Sequence, residues 1–231
     1  MRLIVWRCVG ATAICAALLL VWAGSSLAAT YTVSTSADSG PGSLRAALTA
    51  VDTAPSPPDV IDFSPGIGTI TLASELPALT QSVAIDGNGA TIDGAGTYRG
   101  LFAYSGTIAI SDLTIADALA TGGAGGAGDG AGGGGAGLGG GLFVASGATV
   151  TLSGVSFSDD GAQGGAGGAE GPGGDAPGGG GGLGGPGGSG DSSGYGFSGG
   201  GGGIGLSAAG GSDGGAGGQG IVPGAPGGGT V

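Results

Sequence analysis

Basic residues are scarce in this sequence, and lysine and histidine are missing altogether. Its 231 residues contain four arginines against 16 acids. Two of the arginines, Arg2 and Arg7, precede an apolar run at the start of the chain. Nucleic-acid phosphates are bound mainly by lysine and arginine, so this composition argues against a nucleic-acid partner. The lack of histidine also removes the side chain that most often acts as a general acid or base.

Cysteine is equally scarce, since Cys8 and Cys15 both lie in the first segment of the chain. We do not expect lipidation of Cys15, because it stands inside the apolar run without a small residue just before it. If the first segment is removed on export, the remaining chain has no thiol and no disulfide. Its stability must then come from repetitive backbone hydrogen bonding or bound ions rather than from covalent cross-links.

The first segment has the order of a secretory signal peptide: arginines, an apolar run over about residues 9–21, then small residues. We predict a signal peptide over residues 1–28, cleaved after Ala28, with Ala29 as the alternative position. A membrane anchor is the competing interpretation, but no cluster of charges follows the run. The remainder is expected outside the cell or at its surface, and at the outer membrane in a Gram-negative host. Its 16 acids against two arginines give a formal charge of −14.

Glycine is concentrated in the second half of the chain. Residues 1–121 hold 12 of the 65 glycines, and the 110 residues from 122 onward hold the other 53. Runs at 132–135 and 178–182 break the strict triplet that collagen requires. We expect the Gly-rich stretches 161–200 and 207–231 to be disordered, mobile loops, or at best loosely draped on the coils, because they bury too little side chain to offset the backbone entropy of glycine.

Short alternating runs typical of β-strands occupy most of residues 30–160. One helix is expected among them. Ser43 is a favourable N-cap, and the four apolar residues after it have the i, i+3, i+4, i+7 spacing of one helix face. The predicted helix residues are Ser43, Leu44, Ala47, Leu48 and Val51.

An internal repeat indicates the architecture. Residues 100–106 match residues 141–147, and residues 107–115 match residues 149–157. In both copies the apolar residues form two pairs separated by a two-residue bend, so each pair is expected to point inward from a short strand. The predicted core residues are Ile108, Ile110, Leu113, Ile115, Val150, Leu152, Val155 and Phe157.

Stacked repeats of this kind predict an all-β fold, a right-handed parallel β-helix of the pectin-lyase-like solenoid type with Gly-rich disordered loops. The predicted helix would cap the first coil, whose edge and apolar interior are otherwise open. We divide the chain into a signal peptide (1–28), an N-terminal strand and cap helix (29–58), β-helix coils (59–160) and a Gly-rich low-complexity region (161–231) with a residual coil near 201–209.

The stretch DSGPGSLRAAL at 38–48, with TITL at 69–72 and IDG at 85–87, resembles the start of bacterial β-strand-repeat surface proteins. These include autotransporter passengers and polymorphic-outer-membrane-protein-like passengers, and the resemblance covers about residues 30–160. It implies a right-handed β-helix displayed at or released from the cell surface, but it does not imply one activity. Our leading hypothesis is a passenger with an adhesive, shielding or spacer role that contacts a surface, glycan or host ligand. Such proteins usually carry a C-terminal anchor. We expect none here and interpret the chain as a truncated piece, with contact to a membrane only through that anchor.

Polysaccharide lyases and hydrolases also use β-helices, so a degenerate enzyme of that class is an alternative. Residues 86–94 resemble a coil of pectin-degrading enzymes, and Asp159 and Asp160 are similar to their adjacent aspartates, which can act as general acid and base. Those hydrolases also need a histidine and a basic motif, and the mature chain has no histidine and no lysine. The lyases need a basic residue, but Arg45 lies in the predicted cap helix and Arg99 lies in no recognisable motif. We therefore predict no catalytic residue, and we interpret Asp86, Asn88 and Asp93 as turn residues.

A third interpretation concerns the Gly-rich segments, which as polyproline II helices would present a flat face to ice or glycan. Calcium is the one cofactor that we consider, because secreted acidic Gly-rich repeats often bind it. The calcium-binding nonapeptide needs an acid at a fixed position in tandem copies, but residues 125–129 place Asp129 one position early and no tandem copy follows. We predict no cofactor and no metal site.

Overall fold

The computed structural model describes residues 28–53, 58–170 and 177–190. Within these ranges it contains one helix and nine strands, and every paired strand is parallel to its neighbour. No helix in these ranges is long and apolar enough to cross a membrane. The elements are β1 (Thr30–Val33), α1 (Leu44–Thr53), β2 (Asp59–Phe63), β3 (Thr69–Thr71), β4 (Val83–Asp93), β5 (Leu101–Ala116), β6 (Leu119–Thr121), β7 (Leu142–Ser153), β8 (Ser156–Ser158) and β9 (Gly161–Gln163).

The helix α1 begins directly after Ser43, which caps it. The Ser43 Oγ accepts a hydrogen bond from the N–H of Ala46 at 3.2 Å and donates one to the carbonyl of Gly40 at 2.8 Å. The helix packs against β1 and β2 and so covers the first end of the sheet. The residues that it buries there are Leu44, Ala47, Leu48 and Val51.

Arg45 fastens α1 to the loop before β4. Its guanidinium lies 2.7 Å from Asp38 and donates to the carbonyl oxygens of Ser74, at 2.9 Å, and of Glu75. Burial works to raise the pKa of Asp38, but the hydrogen bond from Arg45, the N–H of Ala73 and the charge of Arg45 outweigh it and hold the pKa below its usual value. One of the two arginines after the apolar run therefore has a structural role.

The main sheet is built from parallel strands that follow one another along the chain. Its order is β1-β2-β4-β5-β7, with β3 beside β4 and β8 beside β5. Side chains of the same character stack in register, so that Ile92 pairs with Ile115 and Ile115 with Phe157. This strand-rich parallel architecture agrees with the coarse prediction of an all-β chain.

Polar residues with positive φ form the bends between the inward-pointing pairs. Asn88 and Asp112 have φ of 46° and 47°, a conformation that asparagine and aspartate tolerate better than most residues. The side chain of Asn88 donates to the carbonyl of Phe63 at 2.6 Å, and Asp93 accepts the N–H of Ala95 at 2.8 Å. Asp86 accepts the N–H of Asn88 at 3.2 Å, so Asp86 and Asp93 make the local turn contacts that the sequence predicts, whereas the Asn88 side chain bonds a neighbouring row.

The predicted core residues differ between the two repeat copies. In the first copy Ile108, Ile110, Leu113 and Ile115 are at most 1 % exposed. In the second copy Val150 and Val155 are only partly buried, and Leu152 and Phe157 are 42 % and 46 % exposed. The prediction of a buried core is wrong for the last two. They lie on β7 and β8, which form the final row of the described sheet and have no following strand among the described residues.

Truncation of the paired residues Ile115 and Phe157 should have unequal effects on stability. We expect Ile115→Ala to lower the free energy of unfolding by about 3 kcal/mol, because Ile115 is fully buried and its truncation leaves a cavity. Phe157→Ala should cost about 1 kcal/mol or less, because almost half of the ring is already in solvent. Urea unfolding of residues 29–231 measures both, and equal losses would contradict the described exposure.

The described part of the Gly-rich region is packed, which corrects the expectation of disordered loops for residues 161–170 and 177–190. Five segments hydrogen-bond to one another through their backbones: 122–128, 130–137, 163–170, 177–183 and 185–190. We call these five segments the glycine bundle. Residues 171–176 and 191–231, with the residual coil predicted near 201–209, lie outside the described residues.

Hydrogen bonds in the glycine bundle recur at every third residue. The N–H groups of Gly122, Gly125 and Gly128 donate to the carbonyls of residues 163, 166 and 169 at 2.8, 2.8 and 3.2 Å. A polyproline II helix has three residues per turn and no internal hydrogen bond, so its backbone groups can pair with neighbouring helices. The three-residue spacing is typical of helices of this type.

Glycine is required here because the backbones approach one another closely. Segment 122–128 lies at the centre and bonds to the other four, as when Gly123 donates to Gly182 at 2.9 Å and Gly187 to Ala124 at 2.8 Å. A Cβ atom on Gly123 would collide with the carbonyl of Gly185. The hydrogen bonds offset the chain entropy of glycine, a contribution that an argument from side-chain burial leaves out.

The glycine bundle also continues the hydrogen-bond pattern of the strands. β6 runs directly into segment 122–128 and β9 into segment 163–170, and these two strands pair in parallel. The chain then returns from segment 130–137 to β7, where Gly100 and Leu101 donate to the carbonyls of residues 140 and 141 at 2.9 and 2.8 Å. The bundle is therefore attached to the sheet at several rows.

Alanine substitutions at a buried and at an open glycine test whether the stability of the glycine bundle depends on close packing or only on glycine content. Gly123→Ala should destabilise the glycine bundle by about 2 kcal/mol, because the new methyl group forces two backbones apart. Gly133→Ala is the matched control, since a Cβ atom there meets nothing within 4 Å. We expect it to change stability by less than about 0.5 kcal/mol. Amide exchange at Gly126 together with urea unfolding measures both effects, and a loss at Gly133 equal to that at Gly123 would rule out close packing.

Candidate functional site

A cleft of about 220 Å³ lies where the sheet meets the glycine bundle. Its lining includes one acid, one arginine and three residues that carry a hydroxyl group. This space is smaller than the pockets of roughly 300–1,000 Å³ that hold drug-sized ligands, so it suits a small polar group. The residues that line it are Glu75, Thr97, Tyr98, Arg99, Thr121, Leu183 and Gly184.

Arg99 joins the two sides of this cleft and is only 6 % exposed. Its guanidinium carbon lies 5.7 Å from the ring centre of Phe102, within the range of a cation–π contact. Its Nε donates at 3.3 Å to the carbonyl of Leu138, in the segment that leads back to β7. Burial lowers the pKa of Arg99 and the charge of Glu75 opposes that effect, but an arginine remains protonated in either case.

Glu75 faces Arg99 in the same cleft. One of its carboxylate oxygens accepts the backbone N–H of Arg99 at 3.4 Å. The residue as a whole is exposed, and partial burial of its carboxyl group raises its pKa. The N–H of Arg99 and the charges of Arg99 and Arg45 work in the opposite direction. The acid of the cleft is thus held by local backbone, as a structural acid would be.

The two adjacent aspartates that resemble a hydrolase pair have different surroundings. Asp160 Oδ1 accepts the N–H of Ala118 at 2.9 Å, and its Oδ2 is buried without a partner among the described residues. Asp159 is exposed and accepts the hydroxyl of Ser158 at 2.9 Å. Burial raises the pKa of Asp160, the N–H of Ala118 lowers it, and the charges of Asp117 and Asp159 add to the rise.

This difference between Asp159 and Asp160 permits two interpretations. A carboxyl group with a raised pKa beside a more solvated one is the arrangement of many acid–base pairs. Asp160, however, points at the backbone of Ala118, one row back in the sheet, and neither aspartate lines the cleft of Glu75 and Arg99. The geometry therefore favours a role in fixing β9 to the end of β5.

The next question is whether the described residues contain a group of side chains that could hold a metal ion. No group of three or more His, Cys, Asp or Glu side chains there is arranged to hold a metal ion. Asp129, in the stretch that approaches the calcium nonapeptide, is exposed between two segments of the glycine bundle. The absence of a calcium site stays a prediction for the whole chain.

The predicted cleavage position lies at the start of the described chain. Ala28 is exposed, whereas Ala29 is half-buried. The N–H of Ala29 donates to Asp59 at 2.9 Å, and its carbonyl accepts the N–H of Val60 at 2.8 Å. Residues 1–27 lie outside the described residues, so the signal peptide itself stays a prediction.

Sequence reasoning missed the cleft and gave Arg99 no role. The repeat alignment contains a usable signal, because Arg99 stands where the next copy has Gly140 and is thus a charge inserted at the repeat boundary.

Neither the protein-family models nor the curated proteins gave a match to this chain. Its function must therefore be inferred from its own residues.

Substitutions at Asp160 should distinguish a structural from a catalytic role. Asp160→Ala leaves the N–H of Ala118 without an acceptor and should lower the free energy of unfolding by about 1–2 kcal/mol. Asp160→Asn keeps an acceptor oxygen and should be tolerated. Asp159→Asn is the matched control, because asparagine also tolerates the φ of 58° at that position. Urea unfolding measures all three variants, and an Asp160→Ala chain as stable as wild type would contradict the structural role.

The raised pKa of Asp160 also predicts a pH dependence. The folded state binds the proton more tightly than the unfolded chain, so its stability should fall as the pH rises from the ordinary aspartate value through the raised one. Asp160→Asn should remove this fall, whereas Asp159→Asn should only lessen it, because burial is the main cause of the raised pKa and the charge of Asp159 adds to it. Urea unfolding between pH 3 and pH 7 measures the effect, and identical profiles for wild type and Asp160→Asn would contradict it.

Proposed function

We propose that this chain is an exported, non-catalytic β-strand-repeat passenger, displayed at or released from a cell surface as an adhesive, shielding or spacer element. The proposal includes a signal peptide over residues 1–28 and a right-handed parallel β-helix in the mature chain. The observation that carries it is the continuous backbone ladder through β1, β2, β4, β5 and β7 into the glycine bundle. A chain built in this way is suited to reach and rigidity.

Register and bends support the β-helix. Ile85 pairs with Ile110 and Ile110 with Leu152, so apolar side chains stack row upon row. A residue with positive φ lies at the same point of three successive rows: Asn88, Asp112 and Gly154. In a solenoid each row covers the one before it, and α1 would cover the first. The exposed Leu152 and Phe157 are the surface on which a further row would pack.

The use of the charged groups supports a non-catalytic role. Arg45 is bound to Asp38 and to two backbone carbonyls, and Arg99 is buried against Phe102 and Leu138. Lyases of this fold need a basic residue to take a proton from the sugar, and both arginines are occupied by structural contacts. An acidic surface with a formal charge near −14 after signal removal also favours solubility and repulsion from anionic surfaces.

Export and the absence of catalysis can be tested together. Residues 1–231 expressed in a Gram-negative host should yield a periplasmic or extracellular product with the mass of residues 29–231. Leu19→Arg, which interrupts the apolar run of the signal, is the control and should abolish export. The purified product should release no oligosaccharide from a panel of acidic polysaccharides. Release that disappears in Asp159→Asn or Asp160→Asn would overturn the proposal in favour of the degenerate polysaccharide-active enzyme.

The glycine bundle favours a second candidate function, contact with ice or glycan. Several of its outward positions offer only backbone, since a Cβ atom at Gly133, Gly164, Gly167 or Gly180 would meet no atom closer than 3.7 Å. Segment 122–128 is central to the bundle, so a test needs the chain from 29 to 231 and not residues 161–231 alone. Glycan-array binding or inhibition of ice recrystallisation by residues 29–231 would support this function if it is lost in Gly123→Ala and kept in Gly133→Ala.

A further inference from the structure

Asp59 lies on β2 at a position where the following strands of the sheet carry apolar side chains. It pairs with Val83, Val83 pairs with Ile108, and Ile108 pairs with Val150. Asp59 is only 2 % exposed. A carboxylate placed at such a position is costly unless a cation or several hydrogen-bond donors compensate for its charge. Its partner is therefore informative.

Ala29 supplies that partner. Its backbone nitrogen donates to Asp59 Oδ1 at 2.9 Å, and its carbonyl accepts the N–H of Val60 at 2.8 Å. Ala29 is thus fixed on both sides beside the start of β2. Ala28, directly before it, is exposed.

The side chains of the mature sequence offer Asp59 no obvious cation. Lysine and histidine are missing from the whole sequence. Arg45 is bound to Asp38, Ser74 and Glu75. Arg99 contacts Leu138 and Phe102. The one further positive charge that a processed chain carries is the ammonium group at its amino terminus.

We propose that Asp59 is the binding site for the amino terminus that signal cleavage creates at Ala29. This inference rests on the export proposed above, because it needs the Ala28–Ala29 bond to be cut. Hydrolysis by the host signal peptidase consumes one water, leaves a carboxylate on Ala28 and an amine on Ala29, and the amine takes up a proton at neutral pH. The N–H donor at Asp59 thereby becomes an ammonium group, and a hydrogen bond to a neutral amide becomes an ion pair.

The Asp59 site also distinguishes the two candidate cleavage positions. Cleavage after Ala28 places the new ammonium group on Asp59 and keeps the hydrogen bond between Ala29 and Val60. Cleavage after Ala29 removes both interactions and leaves the carboxylate of Asp59 without this donor. The contacts of Ala29 thus favour cleavage after Ala28.

Chemical labelling can test the inference directly, because the chain contains no lysine. The α-amine is then the only primary amine in residues 29–231, and an amine-reactive ester reports on it alone. We expect labelling of the folded wild-type chain to be about tenfold slower than labelling of Asp59→Asn. Residues 27–231 are the matched control, because their amine stands two residues before Ala29, and they should label at the fast rate.

Thermal stability gives a second, independent measurement. Residues 29–231 should melt about 3–6 °C above residues 27–231, in which the nitrogen of Ala29 is an uncharged amide. Asp59→Asn in both chains should abolish that difference. If Asp59→Asn does not fold, the two wild-type lengths still decide the question. Equal melting temperatures and equal labelling rates for the two lengths would overturn the inference.

The mass of the exported product separates this inference from the proposed function. A product that begins at Ala29 supports both. A product that begins at Thr30 overturns the role of Asp59 and leaves export intact. If no product is exported, the proposed function fails, and labelling of chains with defined starts still decides whether Asp59 binds the terminus.

Discussion

A backbone N–H that finds its carbonyl on a neighbouring segment is the interaction on which both parts of this structure depend. In the sheet it links β1 to β2, β4, β5 and β7 in parallel register. In the glycine bundle it recurs at every third residue, where there are almost no side chains to bury. The strands also bury apolar side chains against one another, whereas the segments of the bundle pack backbone against backbone. One type of bond therefore supports two packing modes within the described chain.

The acids of the chain depend on the same donors. Because basic side chains are so few, carboxylates are compensated mainly by backbone N–H groups: Asp160 by Ala118, Asp93 by Ala95 and Asp59 by Ala29. Backbone donors are fixed in place by the fold, so a hydrogen-bonded acid also holds its row in register. The acidic composition is in this way compatible with an ordered interior.

The sequence predicts those features that depend on side-chain periodicity. The spacing of Leu44, Ala47, Leu48 and Val51 predicts α1, and the paired apolar residues around Ile108 and Leu113 predict the buried rows. It does not predict the exposure of Phe157, because that depends on whether a further row packs on β8. Polyproline II helices in the Gly-rich segments are only its third interpretation, because the stability of the glycine bundle comes from backbone contacts between distant segments. The cleft at Glu75 and Arg99 escapes prediction for the same reason, since its two walls meet only when the bundle is packed.

The three-residue period of the glycine bundle constrains how its length can change. An insertion or deletion of three residues shifts a segment by one helical turn, so the glycines that touch other backbones keep their direction and the hydrogen bonds re-form one step along. A change of one or two residues rotates alanine or a larger side chain into a space where Gly123 admits no Cβ atom. Segments of this kind can therefore lengthen or shorten only by whole turns of three residues. Homologous chains would differ in the length of these stretches by multiples of three.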